Sequence, residues 1–367
     1  MNFIKKMFGT KEEPIKNYSD FWNWFLQNQK QFHSIVNDGT KIQSHFFKKL
    51  SPKLEELRDG FYFVTGMYDD QTAELIFTAD GNLKNIVFVE ELVQSAPKIN
   101  GWKFTALKPA TDIENISIEM NGISFNKDNL SFFSTNDSEN PDEINITLVY
   151  HNYDKNDVKT INMGCLIFID NYLGELNSIT LIDSINILDE NKTDKELISI
   201  DKLKDFLIWR EKEFIEKYEA VKHCTDDDTY VILEAELNNG NPVIAVMNSD
   251  LLKWEEKASY QWILAIDLTF NGTSNNGLPD NQTSKKLNDF EDDLLVLLND
   301  KNGQLNIGRE TANGTRTIYF ACKDFRYPSK IMDEIKTKYK ESIDLDFEIY
   351  KDKYWSSLNY YIDNIKS

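Results

Sequence analysis

Two arginines carry the sharpest chemical signal in the chain. The stretch NIGRETANGTRTIYFAC, residues 306–322, places Asn313-Gly314 between two strand-like runs, the pattern of a two-residue type I′ hairpin. That turn pairs Ala312 with Thr315, and every further pair follows from it. Leu305 then faces Cys322, Ile307 faces Phe320, Arg309 faces Ile318 and Thr311 faces Arg316. These four pairs share one side of the ribbon, so Arg309 and Arg316 lie on the side of the core residues. On the other side Gly308 pairs with Tyr319, whose ring can cover the gap that glycine leaves. A guanidinium cannot shed its charge, so a core-facing arginine needs a carboxylate or an anionic ligand. The nearby acids Glu291, Asp292, Asp344 and Asp346 favour internal ion pairs. The alternative is an anion pocket formed by Arg309 and Arg316.

Asn276 and Gly277 are the second pair of candidate ligand contacts. They lie in NGLPDNQTSKKLNDFEDDLLVLL, where a polar turn runs directly into an acidic helix. Gly277 permits a positive φ, Pro279 fixes the exit, and Thr283 or Ser284 can cap the helix. A helix N-terminus can hold an anion, but Asp289, Glu291 and Asp292 crowd this one.

Other constellations point to less. His223-Cys224 with Asp226, Asp227 and Asp228 resembles a loose metal cluster, yet it lacks the two spaced ligand pairs of a zinc site and the alternating ligands of an EF-hand loop. A solvated turn is the expectation, with no metal and no cofactor. His151, near Tyr153 and Asp154, is a possible base but reads as a structural strand-end histidine. No GxSxG, HExxH, GxGxxG or Walker loop occurs, and four histidines leave little for acid–base work.

The elements that must hold the arginines are legible. YVILEAEL and PVIAVMN flank Asn239-Gly240, a hairpin signal. QWILAIDLTF is apolar on both faces, with Trp262, Leu264, Ile266 and Leu268 on one side and Ile263 and Ala265 on the other, which suits a central strand. The following helix turns Leu287, Phe290, Leu294, Leu297 and Leu298 inward. After the arginine hairpin comes the helix SKIMDEIKTKY and a closing strand, IDLDFEIY. The order β-α-β-β-α-β is that of a ferredoxin-like sandwich.

Upstream, SDFWNWFLQNQKQFHSIV reads as a helix capped by Ser19, with Phe21, Trp22, Phe25, Phe32 and Val36 in one stripe. That stripe is expected in a core rather than at a docking face. A helix interrupted at Pro52 follows, then a β-β-α-β series through GWKFTAL. Beyond it come the strands ISIEM, LSFFS and INITLVYH, the buried helix VKTINMGCLIFIDNYLGE, and NSITLIDSINIL as one long strand. The whole is expected to be an α+β protein of two sandwich domains, residues 1–188 and 229–367. A charged linker and helix, 189–228, joins them, with Leu203, Phe206, Leu207, Phe214 and Tyr218 on one helix face.

YQWILAIDLTF, NGLPD, LNDFEDDL, NIGRETANGTRTIYFA and KDKYWSSLNYY together resemble the domain of unknown function 695 family over about residues 254–362. The N-terminal ELIFTADGNLKNIVFVEELVQSAPKINGWKFTALKP is similar to segments joined to that domain in bacterial proteins. The resemblance implies a bacterial origin and an α+β fold, and it supplies no catalytic residues. Such domains are sometimes joined to one resembling RraB, a protein regulator of ribonuclease E, which hints at regulation by protein contact.

Bulk composition agrees. Of 367 residues, 61 are acidic and 41 basic, a formal net charge of −20. That balance repels phosphate backbones, so no nucleic-acid partner is expected. Three separated cysteines suit a reducing compartment. The N-terminal MNFIKKMFGTKEEP has no apolar leader segment, and no run is long enough to span a membrane. The expectation is a cytoplasmic, non-enzymatic binding or regulatory protein whose partner is another protein. The alternatives are an enzyme or small-anion binder using Arg309 and Arg316, and an acidic inhibitor of a basic nuclease or toxin.

Overall fold

A computed structural model describes residues 14–135 and 137–366; most of the basic N-terminal stretch lies outside them. The protein has an α+β architecture with several separate sheets. It divides into two compact units. The first runs to Ala110 and takes in Gly174–Leu176, and the second holds Thr111–Leu173 and Asn177 onward. The break expected at 189–228 therefore lies inside the second unit. The helix of that stretch is not a spacer, because it buries Leu203 and Leu207 in a core.

In the first unit α1 (Tyr18–Asp38) and α2 (Lys48–Leu57) precede β1 (Tyr62–Met67), β2 (Ala73–Thr78), α3 (Leu83–Gln94) and β3 (Trp102–Ala106). β1 and β2 are antiparallel, while the α3 crossover makes β3 parallel to β2, as a helical connection requires. The aromatic stripe of α1 is buried throughout. The Trp22 indole donates to the Leu92 carbonyl at 2.9 Å. The cap of α1 is Asn17, which accepts the Asp20 N–H at 2.9 Å, rather than Ser19.

The second unit begins with β4 (Ile118–Met120), β5 (Ile123–Phe125), β6 (Leu130–Thr135), β7 (Asn145–Tyr150), α4 (Val158–Leu173), α5 (Glu175–Thr180, of which Glu175 and Leu176 are counted in the first unit), β8 (Ser184–Asp189), β9 (Ile198–Ser199) and α6 (Leu203–Tyr218). Its sheet has the order β8-β7-β6-β9. The expected long strand NSITLIDSINIL is shorter than its sequence suggests. Asn177–Thr180 belong to α5, the Leu181 N–H still bonds the Asn177 carbonyl at 3.0 Å, and Leu181 and Ile182 drop into the core side by side. Alternation starts only at Ser184.

The chain continues through β10 (Tyr230–Glu236), β11 (Pro242–Asn248), α7 (Ser249–Lys253), β12 (Trp262–Thr269), α8 (Asn281–Leu297), β13 (Gln304–Ala312), β14 (Thr315–Cys322), α9 (Arg326–Tyr339), β15 (Asp344–Lys351) and α10 (Asn359–Lys366). The six strands lie in the order β10-β11-β13-β14-β12-β15, and every neighbouring pair is antiparallel. The β-α-β-β-α-β succession read from the sequence accounts for β12 through β15, with the β10–β11 hairpin added beyond β13. β12 is buried on both faces. Ile263 packs in a cluster with Leu251, Trp355 and Tyr361, while Trp262, Leu264, Ile266 and Leu268 are buried on the other side.

Candidate functional site

The turn at Asn313-Gly314 sets the register of the arginine hairpin as the sequence implies. Ala312 pairs with Thr315, Thr311 with Arg316, Arg309 with Ile318 and Gly308 with Tyr319. Beyond Gly308 the register slips. A bulge at Ile307 makes Asn306 the partner of Phe320, Leu305 of Ala321 and Gln304 of Cys322. The expected pairs Leu305–Cys322 and Ile307–Phe320 are therefore displaced by one residue. The cause is Gly308, whose φ is +141° and whose backbone lies so close to β11 that a Cβ there would fall 2.3 Å from the Val246 carbonyl oxygen. Only glycine tolerates both. Because the bulge lies on the far side of Arg309 from the turn, it leaves both arginines on one face.

Above them stands Glu291 of α8, itself buried. Arg309 Nη1 donates to Glu291 Oε1 at 2.7 Å, and Arg316 Nη1 lies 3.5 Å from Oε2. Arg316 also donates to Asn288 Oδ1 at 2.8 Å and to Thr311 Oγ1 at 3.3 Å. Burial, and then the like charge of Arg309, lower its pKa, while Glu291 opposes them. One carboxylate thus answers two guanidiniums. The arrangement is an internal ion pair, and its acid is one of the four candidates named from the sequence.

Asn276 and Gly277 come together elsewhere. Asn276 has φ +52° and Gly277 φ +84°. The Gly277 carbonyl accepts the Gly314 N–H at 2.8 Å, and a Cβ on Gly277 would stand 2.9 Å from Asn313 Cα. The turn therefore clasps the tip of the arginine hairpin. Asn241 Nδ2 joins it by donating to Asn313 Oδ1 at 2.7 Å, and these residues line a polar cleft of about 390 Å³. The cap of α8 is Asp280, accepting the Thr283 N–H at 2.7 Å, rather than Thr283 or Ser284. Its carboxylate already occupies the place where a helix N-terminus would receive an anion.

A third cluster went unread in the sequence. Asp183 accepts Lys351 Nζ and Lys353 Nζ at 2.8 Å each. Lys351 also donates to the Thr180 carbonyl at 2.7 Å and Lys353 to the Asp142 carbonyl at 2.6 Å. Lys353 is only 3% exposed and its amine lies 4.7 Å from the centroid of the Phe214 ring. Burial lowers the Lys351 pKa to about 8, against the pull of Asp183. The side chain of Asp142 accepts Tyr354 Oη at 2.6 Å, Tyr218 Oη at 2.7 Å and Lys217 Nζ at 2.9 Å. Burial pushes the Asp142 carboxyl up, but those bonds outweigh it and leave it lowered. A cleft of about 400 Å³ opens beside the lysines, between Glu143, Asn145, Ser184 and Ser356. The available signal was Lys-x-Lys at the end of a strand in KDKYW, but its counter-ion lies about 170 residues earlier.

At the metal-like stretch, Cys224, Asp226 and Asp300 hold ligand atoms within 4.8 Å of one another. His223, the natural fourth donor, is instead bound to Asp228 at 2.8 Å. His151 Nε2 and Ser131 Oγ lie 2.8 Å apart, a pairing at the end of β7.

Residues 234–363 match the model of the Family of unknown function (DUF695). No curated protein and no solved structure matches the chain. The DUF695 segment starts inside β10, upstream of the resemblance visible by eye. It contains Asn276, Gly277, Glu291, Arg309, Arg316, Lys351 and Lys353, while Asp142 and Asp183 lie before it. No helix of the described residues is long and apolar enough to cross a membrane.

Proposed function

We propose that the protein is a non-enzymatic binding or regulatory module of a bacterial cytoplasm, and that its partner is another protein. The observation that carries this reading is where the charged groups are used. Arg309 and Arg316 answer to Glu291, and Lys351 and Lys353 to Asp183. Side chains suited to anion capture or nucleophilic chemistry are thereby committed to holding elements together, while large apolar side chains stand at the surface. Ile232 is 67% exposed on β10, and Ile208 and Trp209 are exposed on α6. Contiguous apolar surface kept in water marks a contact surface for a protein, a membrane or a ligand.

Affinity capture with the whole chain from native lysate, at low and moderate salt, tests this together with a thermal-shift screen of phosphates, nucleotides and carboxylates. The expected result is a specific protein that survives moderate salt and no small-molecule stabilisation. Recovery of no protein, with a ligand-dependent stabilisation that Arg309→Ala abolishes, would overturn the reading, since binding to the native state raises stability by mass action.

A further inference from the structure

The six-stranded sheet is covered unevenly on its arginine face. Residues opposite one another across neighbouring strands share a face, so the registers define rows. One row runs Phe347, Ile266, Ile318, Arg309, Val246, Ile232 from β15 to β10. Its first three members are buried, Arg309 and Val246 are half-buried, and Ile232 is exposed. The next row, Leu345, Leu268, Arg316, Thr311, Ile244, Glu234, passes from buried to exposed in the same direction.

The helices explain the gradient. α8 reaches β13 and β14 through Glu291. Asp293 turns the opposite flank of α8 toward Lys338 and Tyr339 of α9, and α9 packs on β15. Two helices thus serve four strands, and β10 and β11 extend past them. The flank of α8 that carries Asn288 and Glu291 also carries Asp292 and Leu295, both exposed, and it borders this partly covered floor of Ile232, Ile244 and Val246. Adjacent strands are about 4.8 Å apart and a helix with its side chains is about 10 Å across, so these two strands have the width of one more helix. The rim is mainly acidic: Glu234 and Glu236 on the open strand and Asp292 on the helix are all exposed, while Lys285 on the same flank of α8 is paired with Asp289 at 3.5 Å.

We propose that the floor of β10 and β11 beside α8 receives a basic amphipathic helix of a partner protein. The inference rests on the protein-partner reading above and names the kind of partner. The helix lays an apolar stripe on Ile232, Ile244, Val246 and Leu295 and turns lysines or arginines toward Glu234, Glu236 and Asp292. It stands beside α8 as a third helix on this face and buries Ile232, which is 67% exposed.

A synthetic peptide of about 16 residues, long enough for four helical turns, serves as the probe. It carries leucines on one face and lysines on the other, and it is compared with a scrambled peptide and with a glutamate-for-lysine version. Titration against the labelled whole chain should show binding of the basic amphipathic peptide alone, weakening as salt rises, with amide shifts in β10, β11 and α8. Ile232→Asp should weaken it at least about tenfold, and Leu295→Asp should do the same without touching the sheet. Ile208→Asp, on α6, should leave it unchanged. Binding indifferent to both groove variants, or equal binding of the acidic peptide, would overturn the proposal. So would self-association of the chain that Ile232→Asp dissolves, because the occupant would then be a second copy. If lysate capture succeeds but ignores Ile232→Asp, the groove assignment falls while the protein-partner reading stands.

Discussion

Glu291 Oε1 accepts Arg309 Nη1 at 2.7 Å while its second oxygen faces Arg316 at 3.5 Å, so a single buried carboxylate is shared by both guanidiniums of the hairpin. Removing it strands two cations, one of them almost wholly enclosed. Glu291→Gln should lower stability by about 3–5 kcal/mol, the cost of breaking a buried pair on one side only, read as an earlier urea midpoint. Combining it with Arg316→Met should restore part of the loss, because the most enclosed charge is then gone.

Gly308→Ala tests the bulge. At φ +141° an alanine is strained, and its methyl would meet the Val246 carbonyl at 2.3 Å. Backbone on both sides leaves little room to relax. A loss of about 2 kcal/mol or more is expected from the disallowed conformation and the clash, with faster amide exchange along β11 and β13. An unchanged melting curve would mean that the two strands do not approach so closely.

Lys351 gives stability a pH dependence of definite sign. Burial lowers its pKa in the folded protein to about 8, below the ordinary lysine value of about 10.4 in the unfolded chain. Below pH 8 both states hold the proton and the full cost of the buried charge is present. Between about 8 and 10.4 the unfolded chain binds more protons, so this contribution to stability rises with pH. Relative to Lys351→Met, the native sequence should gain on the order of 3 kcal/mol between pH 7 and pH 10.4. Tyr260, Tyr339 and Tyr350, whose pKa values burial raises, oppose it above pH 10 in both proteins and cancel in the comparison.

The three thiols should separate cleanly. All are free; Cys224 is exposed, and Cys165 and Cys322 are buried. Burial lifts the Cys165 thiol to about 12 and also raises that of Cys322, so neither supplies thiolate near neutrality. A disulfide reagent should titrate one thiol in the native protein and three in denaturant. Three fast thiols in the native state would show that the α4 and β14 cores open readily.

Much of the C-terminal sheet was legible because short-range chemistry fixes it. Asn313-Gly314 dictates a turn, the turn dictates register, and register puts Arg309 and Arg316 on one face. The same logic failed at Ile307. A glycine within a strand signals a bulge as well as a gap, and the side chain of Tyr319 explained the gap alone. Helix starts shifted for a similar reason. Ser19, Thr283 and Ser284 have the right chemistry, but Asn17 and Asp280 have it too and stand at the positions where the backbone is still extended. Of the lysine cluster, only the Lys-x-Lys of KDKYW was legible. Nothing near Lys351 and Lys353 in the chain announces Asp183, because the pairing exists only once α5 and β8 have packed beside β15. The partly covered floor was equally hidden, since YVILEAEL alternates as any half-buried strand does, whichever face is left open.

The salt link at Asp183 bears on how the shared segment travels between proteins. Cut out at residues 234 and 363, it would begin partway along an edge strand and would leave behind the carboxylate, both carbonyl oxygens and the Phe214 ring that enclose its two ammonium groups. Stretches of shared ancestry and stretches that fold autonomously therefore have different borders here. A protein that joins this segment to another neighbour must supply an anion of its own at that junction, leave the two lysines in water, or replace them.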